Sequence, residues 1–270
     1  MQYFTMGTWV LGLSLGVAVA GALVGLICIR QSTLSVTAKF RLVWLTAAAV
    51  CIGAIGTHLG TSVTLLGVGV GGGTVHYDLL RRAAALILVP VAVLAALLIV
   101  GRNPQLPRLA VGALVMGLSL GAGNYFVLSA LEVQGTVSIS PAIIAGVTVL
   151  SVVVAFGLLY AMRLRATVAL LGVAMLYAAA IVGMHYLALS GLQVHLDPAM
   201  PPPGGQDLFT VFIPVFAIGV MSLAIPITAV LVAPDRAGRL QPEPRKPRQR
   251  RPRPTRPTRP AGTRRREPVG

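Results

Sequence analysis

The chain carries only four histidines, and their positions are the first sign of chemistry. His58 lies in Gly56-Thr57-His58-Leu59-Gly60 and His185 in Gly183-Met184-His185-Tyr186-Leu187, both inside long apolar runs. Asn124 takes the matching place in Gly123-Asn124-Tyr125-Phe126, 66 residues after His58 and 61 before His185. An imidazole within a membrane helix is rare, needs a partner, and marks a functional site by default. His76 and His195 stand in a second repeated phrase, Val75-His76-Tyr77-Asp78 and Val194-His195-Leu196-Asp197; its counterpart between them is Val137-Ser138-Ile139-Ser140. A His and an Asp two residues apart in a loop can share a metal, or form an Asx-type turn among solvated loop residues.

These groups need a scaffold, and the composition describes one. Of 270 residues, 56% are hydrophobic and 11% charged, and the mean hydropathy is +0.83. A soluble domain carries about 25% charged residues, so that class is excluded. The net charge of +15 is gathered at one end: 13 of the 22 Lys and Arg follow Pro234. Residues 1–235 read as an apolar membrane domain. Residues 236–270 read as a disordered, basic, Pro/Arg-rich cytoplasmic tail. Cys28 and Cys51 both lie in apolar runs and give no disulfide framework.

About 20 apolar residues cross a bilayer as a helix. Seven stretches qualify, at roughly 9–29, 42–60, 83–100, 109–131, 141–162, 167–190 and 208–233, so the expected fold is an all-α polytopic bundle. No Lys or Arg precedes Arg30, which makes the first stretch a retained span rather than a cleaved signal. With the N-terminus outside, Arg30, Lys39, Arg41, Arg102, Arg108, Arg163, Arg165 and the tail all fall in the cytoplasm; only Arg81 and Arg82 do not. The positive-inside rule therefore predicts N-out, C-in.

Spans two and three, four and five, and six and seven each read as helix, outer loop, helix, a threefold repeat. His58, Asn124 and His185 lie 15, 15 and 18 residues into the first helix of each pair. At 1.5 Å per residue this is roughly 22–27 Å into a core of about 30 Å, in its outer part.

Met184-His185-Tyr186 in an Ala/Gly-rich helix, the threefold repeat, the seven spans and the Tyr77-Asp78 pair together resemble the MHYT domain of bacterial integral membrane sensors, over roughly residues 7–233. The first two motifs depart from the pattern: Thr57-His58-Leu59 keeps only His, and Gly123-Asn124-Tyr125 keeps only Tyr. The resemblance implies a multi-pass protein of the bacterial cytoplasmic (inner) membrane. It implies a copper ion held near the outer face by Met, His and Tyr, and sensing of a diatomic gas such as oxygen, CO or NO. On this chain the implied ligands are His58, His185 and Met184. Asn124, Tyr125, Tyr186 and Tyr177 would be auxiliary, and His76, Asp78, His195 and Asp197 looser candidates in the outer loops. Imidazole nitrogen and thioether sulfur suit copper, and Met favours Cu(I). The plainer reading of Met184, the tyrosines and Asn124 is packing and interhelical hydrogen bonding.

What the sequence lacks narrows the classes. Lys39 and Lys246 are the only lysines and lie outside the spans, so a retinal Schiff base is excluded. There is no phosphate-loop motif, and Gly71-Gly72-Gly73 reads as a flexible turn. No acidic residue falls deep in a span, which argues against a proton relay. The tail is below the size that folds alone, so no enzyme is expected and a sensor's output would pass through a partner. Anionic lipid or an acidic cytoplasmic protein suits the tail; nucleic acid is not expected, because no aromatic residues interleave its charges. The alternatives are a small-solute transporter or channel, or a scaffold that binds no metal.

Overall fold

The computed structural model describes residues 5–69, 74–164 and 166–232. Gly71-Gly72-Gly73, Arg165 and the tail at 236–270 lie outside the described residues. Helix α1 is Trp9–Leu34. Helix α2, Ala38–Ala49, runs through a π-helical segment, Val50–Leu59, into α3, Gly60–Leu65, and the three make one span. There follow β1 (Val75–Tyr77), α4 (Leu79–Val100), α5 (Leu106–Ser129), β2 (Leu131–Val133), β3 (Gly135–Ile139), α6 (Pro141–Tyr160), α7 (Thr167–Ser190), β4 (Leu192–Leu196) and α8 (Leu208–Val232). The described residues are mostly helical and include seven helices long and apolar enough to cross a membrane, as a multi-pass membrane protein requires.

Two spans begin earlier than hydropathy places them, because polar residues cap them. The Thr37 hydroxyl accepts the Phe40 amide at 3.3 Å and starts α2. The Asp78 carboxylate accepts the amides of Leu80 and Arg81 at 2.8 and 3.3 Å and starts α4. Such side-chain oxygens satisfy amides that the first helical turn leaves open.

The first six spans pack in cyclic order. Helix α1 lies on the second span, the second span on α4, α4 on α5, α5 on α6, α6 on α7, and α7 returns to α1. Helix α8 stands outside this ring against α1 and the π segment. It buries Leu208, Phe212 and Leu223, while Ile213, Ile218, Met221, Ile225 and Leu231 stay exposed.

Glycine sets how closely the second span sits. A Cβ on Gly21 of α1 would lie 2.4 Å from the Gly56 amide nitrogen, and a Cβ on Gly53 would lie 2.7 Å from Pro90 Cα in α4. Without a hydrophobic drive between helices in lipid, such close approach of small residues is what packing relies on. The π segment is thus wedged between α1 and α4. Within it the Thr57 hydroxyl donates to the Ile52 carbonyl, five residues back, at 2.8 Å.

The all-α expectation needs one correction: among the described residues, the connectors at one end of the bundle contain four short strands. β1 pairs antiparallel with β2 (Val75 opposite Val133) and β3 with β4 (Gly135 opposite Leu196). These pairings join the three connectors that follow α3, α5 and α7, so all three share an end. Connector backbone groups need hydrogen-bond partners, and ladders supply them. At the other end, Arg30 donates to Thr167 Oγ1 at 3.2 Å, Arg102 to the Ser35 carbonyl at 2.9 Å, and Arg163 twice to the Pro104 carbonyl, at 2.9 and 3.0 Å.

Candidate functional site

Helices α5 and α7 bring Asn124 and His185 together. His185 is fully buried, and its Nδ1–H donates to Asn124 Oδ1 at 2.7 Å. That bond fixes the tautomer: with the proton on Nδ1, Nε2 is a bare acceptor. Nε2 is buried and has no hydrogen-bond partner. Buried polar atoms are nearly always satisfied, so an orphaned imidazole nitrogen asks for a guest.

Within the ring is a cavity of about 20 Å³ lined by Thr57, His58, Asn124, Ile181 and Met184, among others; His185 itself is not part of its lining. This is room for about one water-sized particle. Met184 is buried, its sulfur 3.6 Å from the oxygen of the Ser151 hydroxyl of α6, which donates at 2.8 Å to the Val147 carbonyl. His58 is buried on the π segment, within electrostatic reach of both His185 and Arg82. Among the described residues no three His, Cys, Asp or Glu side chains cluster, so a metal here would rely on two imidazoles and the thioether.

The other sequence candidates are placed differently. Tyr177 is buried two helical turns from His185, and its hydroxyl lies 2.7 Å from Thr57 Oγ1. Because Thr57 already donates to Ile52, Tyr177 is the donor, pinning α7 to the π segment. Tyr125 is turned away: it is 44% exposed and lines a surface depression instead. Tyr186 is half-buried and packs with Ala18, Ala178 and Val182 on the α1–α7 seam. One helical step turns a side chain by about 100°, and here it carries Tyr125 and Tyr186 away from Asn124 and His185.

In the connectors the repeated His and Asp have separate tasks. His76 Nδ1–H donates to the Gly204 and Pro203 carbonyls at 2.8 and 3.1 Å. Asp78 caps α4 and pairs with Arg81 at 3.3 Å. Asp197 accepts the Ala199 amide at 2.9 Å, an Asx-type turn, and His195 is exposed on β4 opposite Thr136. Neither His–Asp pair shares a ligand position; the turn-and-loop reading accounts for both.

One residue escapes the sequence reading altogether. Arg82, expected at the mouth of a span, is 6% exposed in the first turn of α4. Its Nη2 donates to Ser62 Oγ at 2.9 Å and its guanidinium carbon lies 5.1 Å from the centre of the Tyr77 ring. Its Nη1 is buried without a partner. The ion pair found among the described residues is Arg81–Asp78, so Arg82 has no carboxylate. The available signal was charge bookkeeping: Arg81 and Arg82 break the positive-inside pattern, and Asp78 answers only one of them. Burial beneath Arg82 also acts on Tyr77, outside the spans. Burial pushes the Tyr77 hydroxyl up to about 12, with the Arg82 charge holding it down and Asp207 adding to the rise.

No family model, no curated protein and no solved structure matches the chain, so the site stands on its own geometry.

Proposed function

We propose that the protein is a sensor or signalling protein of the bacterial cytoplasmic membrane. On this reading the end bearing the strands faces outward, and the tail inside contacts anionic lipid or an acidic partner. The site residues would be His185, His58 and Met184, holding copper as the MHYT resemblance implies.

The observation that carries the proposal is the orphaned Nε2 of a fully buried His185 whose other nitrogen is held by Asn124. Metal-ligating histidines have this form, the second nitrogen being held by a carbonyl or carboxylate that sets tautomer and ring angle. Two imidazoles and a thioether, if they converged, would suit a soft ion. Copper in such a three-ligand site would supply an open position for a diatomic molecule. The chain's own part would be to orient the His185 ring through Asn124 and to exclude bulk water.

Copper analysis of protein purified without a His tag tests this. His185→Ala should abolish copper retention, while His195→Ala, on the exposed strand, should leave it unchanged. Equal loss in both would move the site to the connectors, and no copper in the native protein would defeat the metal reading.

A further inference from the structure

A second cavity lies on the other side of His58, outside the helix ring. It measures about 210 Å³ and sits between the second span, the first turns of α4 and α8. Leu59, Leu79, Ala83, Leu86, Phe212 and Val215 make its walls. Its only polar lining is His58, Ser62 and Arg82. The cavity is therefore apolar along its body and cationic at one place.

We propose that this cavity binds a single-chain or lipid-borne amphiphile through its oxyanion head, carboxylate or phosphate, with Arg82 as the anchor. The charge argues for it first. Arg82 is buried in an apolar setting, keeps its charge under all ordinary conditions, and has no counter-ion among the described residues. An unpaired buried charge is strongly unfavourable, and such residues in membrane segments face a partner or a pathway. Tyr77 and Ser62 soften the setting but carry no formal charge. The remaining donor, Nη1, is orphaned, and a guanidinium fork is shaped for an oxyanion.

The walls argue for the rest of the ligand. A free inorganic anion would gain nothing from Leu86, Phe212 and Val215. A volume of 210 Å³ is below the range of drug-sized pockets and suits a head with the first part of an alkyl chain. The remaining chain has an exit, because α8 is the loosest wall of the cavity. It packs only on the ring's edge and leaves Phe209 and Ile213 exposed to the lipid region. This site does not depend on metal at His185; the two cavities share only His58, which stands between them.

Radiolabelled dodecanoate and the intact protein in phosphatidylcholine nanodiscs test the free-acid source; native mass spectrometry of lipid retained from phosphatidylglycerol nanodiscs tests the lipid source. Binding in either arm is expected, with at least a tenfold loss in Arg82→Leu and none in Arg81→Gln or His185→Ala. Dodecanol should not displace dodecanoate. Should Arg82→Leu not fold, Val215→Trp gives an independent reading, since it fills the cavity and leaves the charge in place; it too should lose at least tenfold. Loss in His185→Ala equal to that in Arg82→Leu, binding unchanged by Arg82→Leu and Val215→Trp, or no saturable binding in either arm would overturn the proposal. A failure of copper binding would leave these outcomes unchanged.

Discussion

Asn124→Leu separates orientation of His185 from mere packing around it. The substitution keeps the size of the side chain and removes the acceptor for Nδ1–H at 2.7 Å. Interhelical hydrogen bonds in membrane proteins are worth about 0.6 kcal/mol on average and up to about 1.7. His185 has no solvent exposure, so no water replaces the lost partner and the upper part of that range applies. A cost near 1–2 kcal/mol leaves the fold intact. The effect on ligand binding is at least as large. With Nδ1 unheld, the ring is free in angle and tautomer, and loss of such a supporting group typically costs 10–100-fold in metal affinity. That corresponds to about 1.4–2.8 kcal/mol, equal to the stability change or above it. Anaerobic Cu(I) titration against a chelator of known affinity reads it directly in detergent-solubilised protein. Asn124→Asp should keep the affinity, because a carboxylate oxygen accepts the same proton. Were Asn124→Leu to bind copper within about threefold of the native protein while His185→Ala did not bind at all, orientation by Asn124 would be refuted.

The remaining expectations concern packing, pH and orientation. Gly21→Ala forces a Cβ to 2.4 Å from backbone of the second span, whereas Gly12→Ala meets nothing within 4 Å; unfolding in micelles should show a loss of about 1–3 kcal/mol for the first and almost none for the second. Tyr77 should make stability fall between about pH 10 and 12, because the unfolded phenol loses its proton near 10 and the folded one only near 12. Below pH 10 both states keep the proton and the effect is absent, so alkaline melting curves of Tyr77→Phe should be flatter over that window. A cysteine at Met200, which is exposed in the connector after β4, should react with an impermeant thiol reagent on intact cells; reaction only after lysis would reverse the proposed orientation.

Much of this arrangement was legible because it depends on long-range spacing. Matching depths put Asn124 and His185 at one level, and the structure joins them by a hydrogen bond. Hydropathy found the seven helices but not their polar starts, since Thr37 and Asp78 act through single side-chain oxygens that a hydropathy average suppresses. The tyrosines next to Asn124 and His185 were grouped with them by adjacency, though one step along a helix turns the side chain by about 100°. The connector strands were hidden by brevity: Val-His-Tyr, Gly-Thr-Val-Ser-Ile and Leu-Gln-Val-His-Leu are three to five residues long, too short for alternation to stand out. Arg82 was the largest gap. A sequence gives its sign and its position near a helix end, but whether it snorkels outward or turns inward depends on Ser62 and Tyr77, which arrive from elsewhere in the fold.

The two small sheets impose an order on biogenesis. β1 cannot find β2 until α4 and α5 have been made, and β3 cannot find β4 until α6 and α7 have followed. Each ladder therefore closes one helical hairpin late, and the end of the bundle nearest His58 and His185 is completed only as synthesis nears α8. A chain halted after α6 would display β3 as a bare edge, Gly135–Ile139, ready to pair with whatever strand it meets. The same staggering makes the ladders a checkpoint on insertion: a hairpin inserted upside down would deliver its strand to the wrong face of the membrane and leave its predecessor unmatched.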